Sequence, residues 1–300
     1  MSKAYEAITQ QILELMEQGT SPWHRPWKTL RAQGRNRALN AQGRAYRGIN
    51  AFILTSLPFE VPIYLTYRQA AAMGGNVRKG SKGFPVLFWK LLELTEETAR
   101  EADDVGMKIP MARFYTVFNV AQTEGVTLPE ALASPAETVA FNGIEDAERL
   151  VAGMPQCPSV EHGYTKAFYR PSEDFIGMPS IPAFDSLEEY YSTLFHELVH
   201  STGHVSRLNR KEVSAPDYTD AHAYSREELV AELGSALLCA QVGIDNVREN
   251  QAAYLRSWHE RLQKDPAILV MAAAKAQKAA DYILVAEMAS ASKEETGEAA

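Results

Sequence analysis

One group of residues in this chain has types and spacing that specify a chemistry. In the segment SLEEYYSTLFHELVH, His196 and His200 stand four residues apart, with Glu197 beside the first. On a helix, positions i and i+4 project from one face a single turn apart, which is the separation a tetrahedral zinc ion asks of two imidazoles. Glu197 is then placed to take the proton of an attacking water, the general-base role in metal-assisted hydrolysis. Accident yields such a spacing in a chain of this length with a frequency on the order of one per cent, so a metal pair outweighs two surface histidines on an ordinary helix. The helix itself rests on separate signals. Ser186 has Glu189 three residues on, and Leu187, Tyr191, Leu194 and Leu198 keep helical spacing.

A catalytic zinc takes a third protein ligand and leaves a fourth position open. His204 follows Gly203, a glycine similar to the helix-ending one of the metzincins, but their third histidine comes three residues after that glycine. Glu228 and Glu232, in YSREELVAELGSALL, lie one turn apart on a second helix whose other side is Leu229, Leu233 and Leu237. This arrangement resembles the glutamate helix of the gluzincin metallopeptidases. The resemblance implies Glu228 as third ligand and Glu232 as the carboxylate that steadies a histidine ligand. Ser225 and Glu228 also have capping-box spacing, and Glu232 or His204 stay open as alternative ligands. Zn(II) is the expected ion, with another divalent metal such as Mn(II) as the alternative.

A second constellation is spread along the chain. Residues 20–90 hold 12 basic side chains and one acid, Glu60. Trp23, Trp27, Tyr46, Tyr64, Tyr67 and Trp89 are interleaved there with the arginines and lysines, and single-stranded nucleic acid is bound by such a mixture of cations and stacking rings. In NVRKGSKG, small residues let the backbone approach a phosphate while Arg78, Lys79 and Lys82 add charge. The residues expected to touch single-stranded DNA are Trp23, Arg25, Trp27, Lys28, Arg35, Arg37, Tyr46, Arg47, Asn50, Arg68, Arg78, Lys79 and Lys82. About half of the aromatics, Trp89 foremost, are expected in the core instead. RNA or an acidic protein would draw on the same residues.

The elements that must position these groups divide with the charge. Residues 1–120 carry 16 Lys and Arg against 10 Asp and Glu, and the remainder 14 against 28, within a total of −8. A polyanion-binding module joined to an acidic one is the reading. In the first part, periodicity predicts a helix over 4–18, a loop over 20–50, a helix from a capping box at Thr66 to Gly74-Gly75, and an antiparallel pair from PVLFWKLLEL and RFYTVFNV. In the second, it predicts a helix over 143–153, a strand-like run over 166–178, and helices over 187–202, 226–242, 250–263 and 266–287, the last capped by Asp265 with Pro266 behind it. The expected domains are 1–122, a linker at 123–141, then 142–287 and a disordered tail 288–300. Two isolated cysteines make no disulfide framework, the first twenty residues are no signal peptide, and no run reaches the roughly 18 apolar residues of a membrane span. A soluble, cytoplasmic protein is expected.

Across nearly its whole length the chain is similar to the ArdC family of antirestriction proteins of conjugative plasmids. The likeness rests on SPWHRPW, GRAYRGIN, YLTYRQAAAMGGNVRKGSKG and RFYTVFNVAQ, which are also similar to the amino-terminal region of certain plasmid primases. It rests further on DSLEEYYSTLFHELVHSTGH, RLNR and YSREELVAELGSALLCAQVGI, similar to a metallopeptidase domain of polyvalent phage and plasmid proteins. The resemblance implies an α+β chain, with a small basic single-stranded-DNA-binding domain before a mostly helical, gluzincin-type zincin domain. It also implies protection of incoming DNA from host restriction, with a restriction enzyme or another protein as target. Two other readings share these parts: a DNA-bound peptidase that clears DNA-linked proteins, and a non-enzymatic coat with a structural metal.

Overall fold

Helix α1 (Lys3–Glu17) turns Ile8, Ile12, Leu13 and Met16 inward, one apolar stripe on an otherwise polar segment. The computed structural model describes residues 3–17, 38–93, 108–133, 142–214, 221–244 and 252–297. Strand β1 (Leu39–Asn40), helix α2 (Ile49–Thr55), strand β2 (Ile63–Thr66), helix α3 (Tyr67–Ala72) and strand β3 (Asn76–Val77) lead to two long strands, β4 (Phe84–Glu93) and β5 (Lys108–Asn119). These two pair antiparallel, from Phe84 opposite Val117 to Glu93 opposite Lys108, as their alternating sequences predict. The sheet runs β1-β2-β5-β4, with β1 parallel to β2.

Local chemistry accounts for several joints. The predicted capping box opens α3: Gln69 N donates to Thr66 Oγ1 at 3.2 Å, and Thr66 N to Gln69 Oε1 at 2.8 Å. Helix α2 begins in the last two residues of the stretch read as loop and runs on past it. Its N-cap is Gly48, which offers no side-chain cap, and six of its seven residues are buried. Tertiary packing, rather than a local start signal, makes it a helix. From α2, Asn50 covers part of the open edge of β4, with Nδ2 donating to Leu87 O at 2.7 Å and Oδ1 accepting from Leu87 N at 2.8 Å. A side-chain amide, with its donor and acceptor side by side, here stands in for a neighbouring strand.

Past β5, a short turn (Val120–Gln122), strand β6 (Thr123–Glu124) paired with β3, and helix α4 (Glu130–Ala133) fall partly inside the segment expected as linker. Helix α5 (Gly143–Gly153) is N-capped by Asn142. Strand β7 (Ser159–His162) precedes the expected strand-like run, which itself becomes two strands, β8 (Phe168–Arg170) and β9 (Phe175–Met178), with β9 central, parallel to β7 and antiparallel to β8. Every residue of β9 is buried. The helices α6 (Leu187–Ser201), α7 (Lys211–Ser214), α8 (Ala221–Val242), α9 (Ala252–Lys264) and α10 (Ala267–Gly297) follow. Asp265 caps α10 by accepting from Ala267 N at 3.1 Å, as predicted, and the helix runs past the expected end at 287.

Helix α8 packs between α6 and α10, and α10 reaches back to α1 and α2. One hydrophobic cluster includes Ile12 and Phe52 from the first part and Phe195, Leu233 and Ala276 from the second. Polar contacts join the same parts: Thr9 Oγ1 donates to Pro266 O at 2.9 Å, Gly48 N to Gln277 Oε1 at 2.9 Å, and Arg47 pairs with Asp281.

Candidate metal centre and basic face

Helix α6 is anchored at both ends. Ser186 Oγ accepts from Glu189 N at 3.1 Å, and the Glu189 carboxylate accepts from Asp185 N at 2.8 Å, one residue before the reciprocal partner a capping box would use. At the other end the two arginines of RLNR take up the last carbonyls. Arg207 donates to Ser201 O at 3.0 Å and Arg210 to Val199 O at 2.8 Å. Arg207 is in turn held by a fork to Asp174, with both nitrogens 2.9 Å from the carboxylate.

Between these anchors, His196 and His200 face helix α8. Their Nε2 atoms lie 3.1 Å apart, Glu228 Oε2 is 3.5 Å from His196 Nε2, and Glu228 Oε1 is 3.4 Å from His200 Nε2. Four-coordinate zinc with bonds of about 2.0–2.1 Å has ligand–ligand edges of about 3.3–3.4 Å. The three distances lie close to those edges, with Glu228 offering a different oxygen to each histidine, and among the described residues His196, His200 and Glu228 are the group of three that could hold an ion. Glu197 is buried next to them. Two imidazoles and a carboxylate form a donor set that suits a divalent metal.

The electrostatics follow from burial and from the hydrogen bonds between these groups. Burial disfavours a charged imidazole at His200, but the hydrogen bonds its ring donates to Glu227 and Glu228 outweigh it and push the ring up to about 10. Burial also opposes charge on Glu228 and Glu227. Bonds from His196 and His200 hold Glu228 well below the carboxylate range, and those from His200 and Arg210 lower Glu227. In the metal-free protein, positive charge on His200 faces negative charge on α8.

Of the other residues singled out from the sequence, His204 stands apart from the three donors, with Nδ1 2.8 Å from Ser206 Oγ. Glu232 is buried on α8 one turn beyond Glu228. Helix α8 begins at Ala221, a full turn before Ser225, so Ser225 is not its N-cap. Three participants were not singled out. Glu227 sits 3.4 Å from His200 Nδ1, Arg210 forks onto Glu227, and Gly234 lets α8 approach α6 at Val199. Two signals pointed to them, the doubled glutamate of REEL and a glycine inside a helix otherwise made of good helix formers.

On the basic part, Trp23, Arg25, Trp27, Lys28, Arg35 and Arg37 lie outside the described residues. Arg68, Arg78, Lys79 and Lys82 are exposed. The loop that carries the last three is tied down: Arg78 N donates to Gln122 O at 2.9 Å, Gln122 Nε2 to Lys82 O at 2.9 Å, and the Arg78 guanidinium bonds Ala121 O. Arg47 is exposed and paired with Asp281. Tyr46 and Asn50 lie in the interior rather than on the expected surface, because the Tyr46 ring packs edge-on against Tyr64 and Asn50 serves Leu87. An aromatic pair that the sequence reading passed over is open instead. Phe88 (42 % exposed) and Tyr115 (46 %) meet at 5.6 Å on one face of the β4–β5 hairpin, with Arg113 opposite Phe88. No helix among the described residues is long and apolar enough to cross a membrane.

Comparison with known proteins bears on both parts. Residues 2–118 match the family described as the N-terminal domain of anti-restriction factor ArdC, and residues 145–275 match the zincin-like metallopeptidase family. The chain is 36 % identical over 98 % of its length to a DNA primase TraC of Escherichia coli, and 35 % identical over 94 % to a second. It spans only 28 % and 20 % of those two relatives. It is also 35 % identical to the uncharacterized protein y4eC of Sinorhizobium fredii, covering 93 % of this chain and 91 % of that one. Crystal structures of the antirestriction ArdC protein from plasmid R388, metal-free and Mn(II)-bound, superpose with a TM-score of 0.71 at 35 % identity, over 93 % of this chain and 96 % of theirs.

Proposed function

This chain belongs to the ArdC antirestriction family, with the family's N-terminal domain followed by a zincin-like domain, and from that premise we propose that it binds single-stranded DNA through its basic part and hydrolyses a peptide bond at the HExxH centre. The observation that carries the peptidase half is the convergence of His196, His200 and Glu228, whose candidate donor atoms all lie within 4.8 Å of one another, with Glu197 buried beside them. His196, His200 and Glu228 are assigned as ligands, and Glu232 as support for a histidine. Zn(II) suits this donor set, and Mn(II), which the R388 relative binds in one of its structures, is the alternative. When bound, the metal supplies Lewis-acid polarisation of a carbonyl and lowers the pKa of water. Glu197 takes a proton from the attacking water and delivers it to the leaving amine, which needs a carboxylate shielded from bulk solvent and within reach of both.

The DNA-binding half is supported by the exposed basic loop 78–82 and by the Phe88–Tyr115 pair with Arg113, which offer phosphate contacts and ring faces for unpaired bases. We divide the chain functionally at 123–141, with the DNA-binding part before and the peptidase part after, and place the protein in the cytoplasm. DNA would then carry the peptidase to a protein target, a restriction enzyme or another DNA-bound protein. Metal analysis combined with a restriction-protection assay on Glu197→Gln tests the whole. Metal retained with protection lost is the expected result. Metal and protection both retained would favour a DNA coat in which the metal only joins two helices.

A further inference from the structure

A histidine that binds metal through one ring nitrogen must present that nitrogen without a proton, and the partner of the other nitrogen decides where the proton sits. At His200 the two sides are distinct. Nε2 faces Glu228 and His196, while Nδ1 faces Glu227 Oε1 at 3.4 Å. Consecutive residues on a helix point about 100° apart, so neighbouring Glu227 and Glu228 reach the two edges of one ring. The Glu227 carboxylate is buried and would be costly to hold there alone. Arg210, itself buried, answers it with a two-point fork, Nε to Oε2 at 3.1 Å and NH2 to Oε1 at 2.6 Å. The same guanidinium donates to Thr202 Oγ1 at 2.7 Å and Val199 O at 2.8 Å, on the turn that carries His200.

We propose that Glu227 and Arg210 form a positioning pair for the metal centre, in which Glu227 accepts from His200 Nδ1–H, leaves Nε2 free to ligate, and is itself kept in place by Arg210. This rests on the reading of His196, His200 and Glu228 as metal ligands. Glu227 needs acceptors on both oxygens, since Oε1 meets His200 and Arg210 NH2 while Oε2 meets Arg210 Nε. An amide at this position has one acceptor and one donor. With its oxygen in the place of Oε1, its amide nitrogen meets the Arg210 Nε–H and loosens the fork; turned the other way, that nitrogen faces Nδ1 and drives the His200 proton onto Nε2, the wrong tautomer for binding. Arg207 gives the contrast. It also braces the end of α6, through Ser201 O and Asp174, but touches neither Glu227 nor His200.

The test uses full-length protein stripped with EDTA and titrated with Zn(II) against a chromophoric chelator, and separately with Co(II) for its visible bands. Wild type binds one ion and His196→Ala none. Glu227→Gln is expected to weaken Zn(II) by 10- to 100-fold and shift the Co(II) bands, Glu227→Asp to fall between, and Arg207→Met to stay within threefold of wild type at whatever melting temperature it has. Should Glu227→Gln fail to fold, Glu227→Asp and Arg210→Lys carry the comparison, both retaining charge while loosening the geometry. Wild-type affinity and Co(II) bands in the Glu227 variants, with His196→Ala empty, overturn the pair and leave the metal site standing. Equal losses in Arg207→Met and Glu227→Gln overturn it too, reducing it to a staple. A wild-type chain that takes up no ion, or whose ion survives His196→Ala, sinks the metal reading itself.

Discussion

Gly234 sits inside helix α8, where glycine costs about 1 kcal/mol relative to alanine, so its presence needs a reason. A Cβ there would lie 2.7 Å from both Cγ1 and Cγ2 of Val199 and 3.3 Å from its Cβ. Carbon atoms at rest stand about 3.5–4.0 Å apart, and Gly234→Ala therefore forces α6 and α8 apart by roughly 0.8 Å. Val199 cannot turn away, since a β-branched side chain in a helix has one strongly preferred rotamer and here it is fully buried. Overpacking of this size costs about 1–3 kcal/mol. Helix propensity returns about 1, leaving a net loss between about 0 and 2. The metal site is less tolerant, because ligand distances hold within about 0.2 Å, and Val199 directly precedes His200. We expect Gly234→Ala to lower metal affinity at least tenfold, about 1.4 kcal/mol, with a modest change in the melting temperature of the metal-free protein. Adding Val199→Ala removes the opposing γ-carbons and should bring the affinity back to within threefold of wild type. Wild-type metal binding by Gly234→Ala, or a double variant no better than the single one, would falsify the idea that this glycine sets the gap Glu228 must span.

Metal analysis after gel filtration should find no stoichiometric Zn(II) in His196→Ala or His200→Ala and much less in Glu228→Ala; a site emptied by Glu232→Ala but not by Glu228→Ala would reverse the ligand assignment. Fluorescence titrations with single strands should give a slope of log affinity against log salt of about −3.5, five phosphates at about −0.7 each. Trp23→Ala, Trp27→Ala, Phe88→Ala or Tyr115→Ala should lower affinity and keep that slope, while joint neutralisation of Arg78, Lys79 and Lys82 should flatten it; duplex bound as tightly as single strand argues against stacking. Burial opposes charge on Asp174, but bonds from Arg207 and Tyr169 lower its pKa below the usual value. A depressed carboxylate stabilises the fold above its unfolded pKa and loses that effect as pH falls through the folded value. Thermal melts of Asp174→Asn should therefore be less acid-sensitive below about pH 4 than those of the wild type, and parallel curves would show that the Arg207 fork contributes nothing.

Helix α6 was legible because its signals are local. Ser186, the apolar stripe and the His196–His200 spacing all lie within fifteen residues, and α6 starts where they say. The β4–β5 pairing and the Thr66 box were legible for the same reason. What escaped is made between distant residues. Arg210 is an arginine in a loop until α8 brings Glu227 to it, and Asn50 is a polar residue in a basic stretch until β4 offers it an open edge. Helix α2 has no cap to announce it, and Tyr46 reads as a surface ring until Tyr64 and Phe88 close around it. Phe88 and Tyr115 sit on strands whose alternation predicts two faces but not which face stays open.

Charge and core divide this chain differently, and the difference has a physical cause. Sign of charge is a property of surface side chains, which answer only to solvent and ligands, so it can change abruptly along the sequence near residue 120. A core forms wherever apolar faces meet, and α10 offers one to both parts. Ala272, Ala273, Ala276, Ala279 and Ala280 are all buried, and such small residues allow α8 and α5 to come close. The same helix presents Gln277 to the backbone of Gly48 and Asp281 to Arg47, beside the residues that carry the basic charge. A helix bearing no candidate ligand and no candidate DNA contact thus sets where α8, and with it Glu227 and Glu228, stands relative to the basic part. Its means are its buried small residues and these two polar contacts, so a change on α10 reaches both parts through position rather than through chemistry.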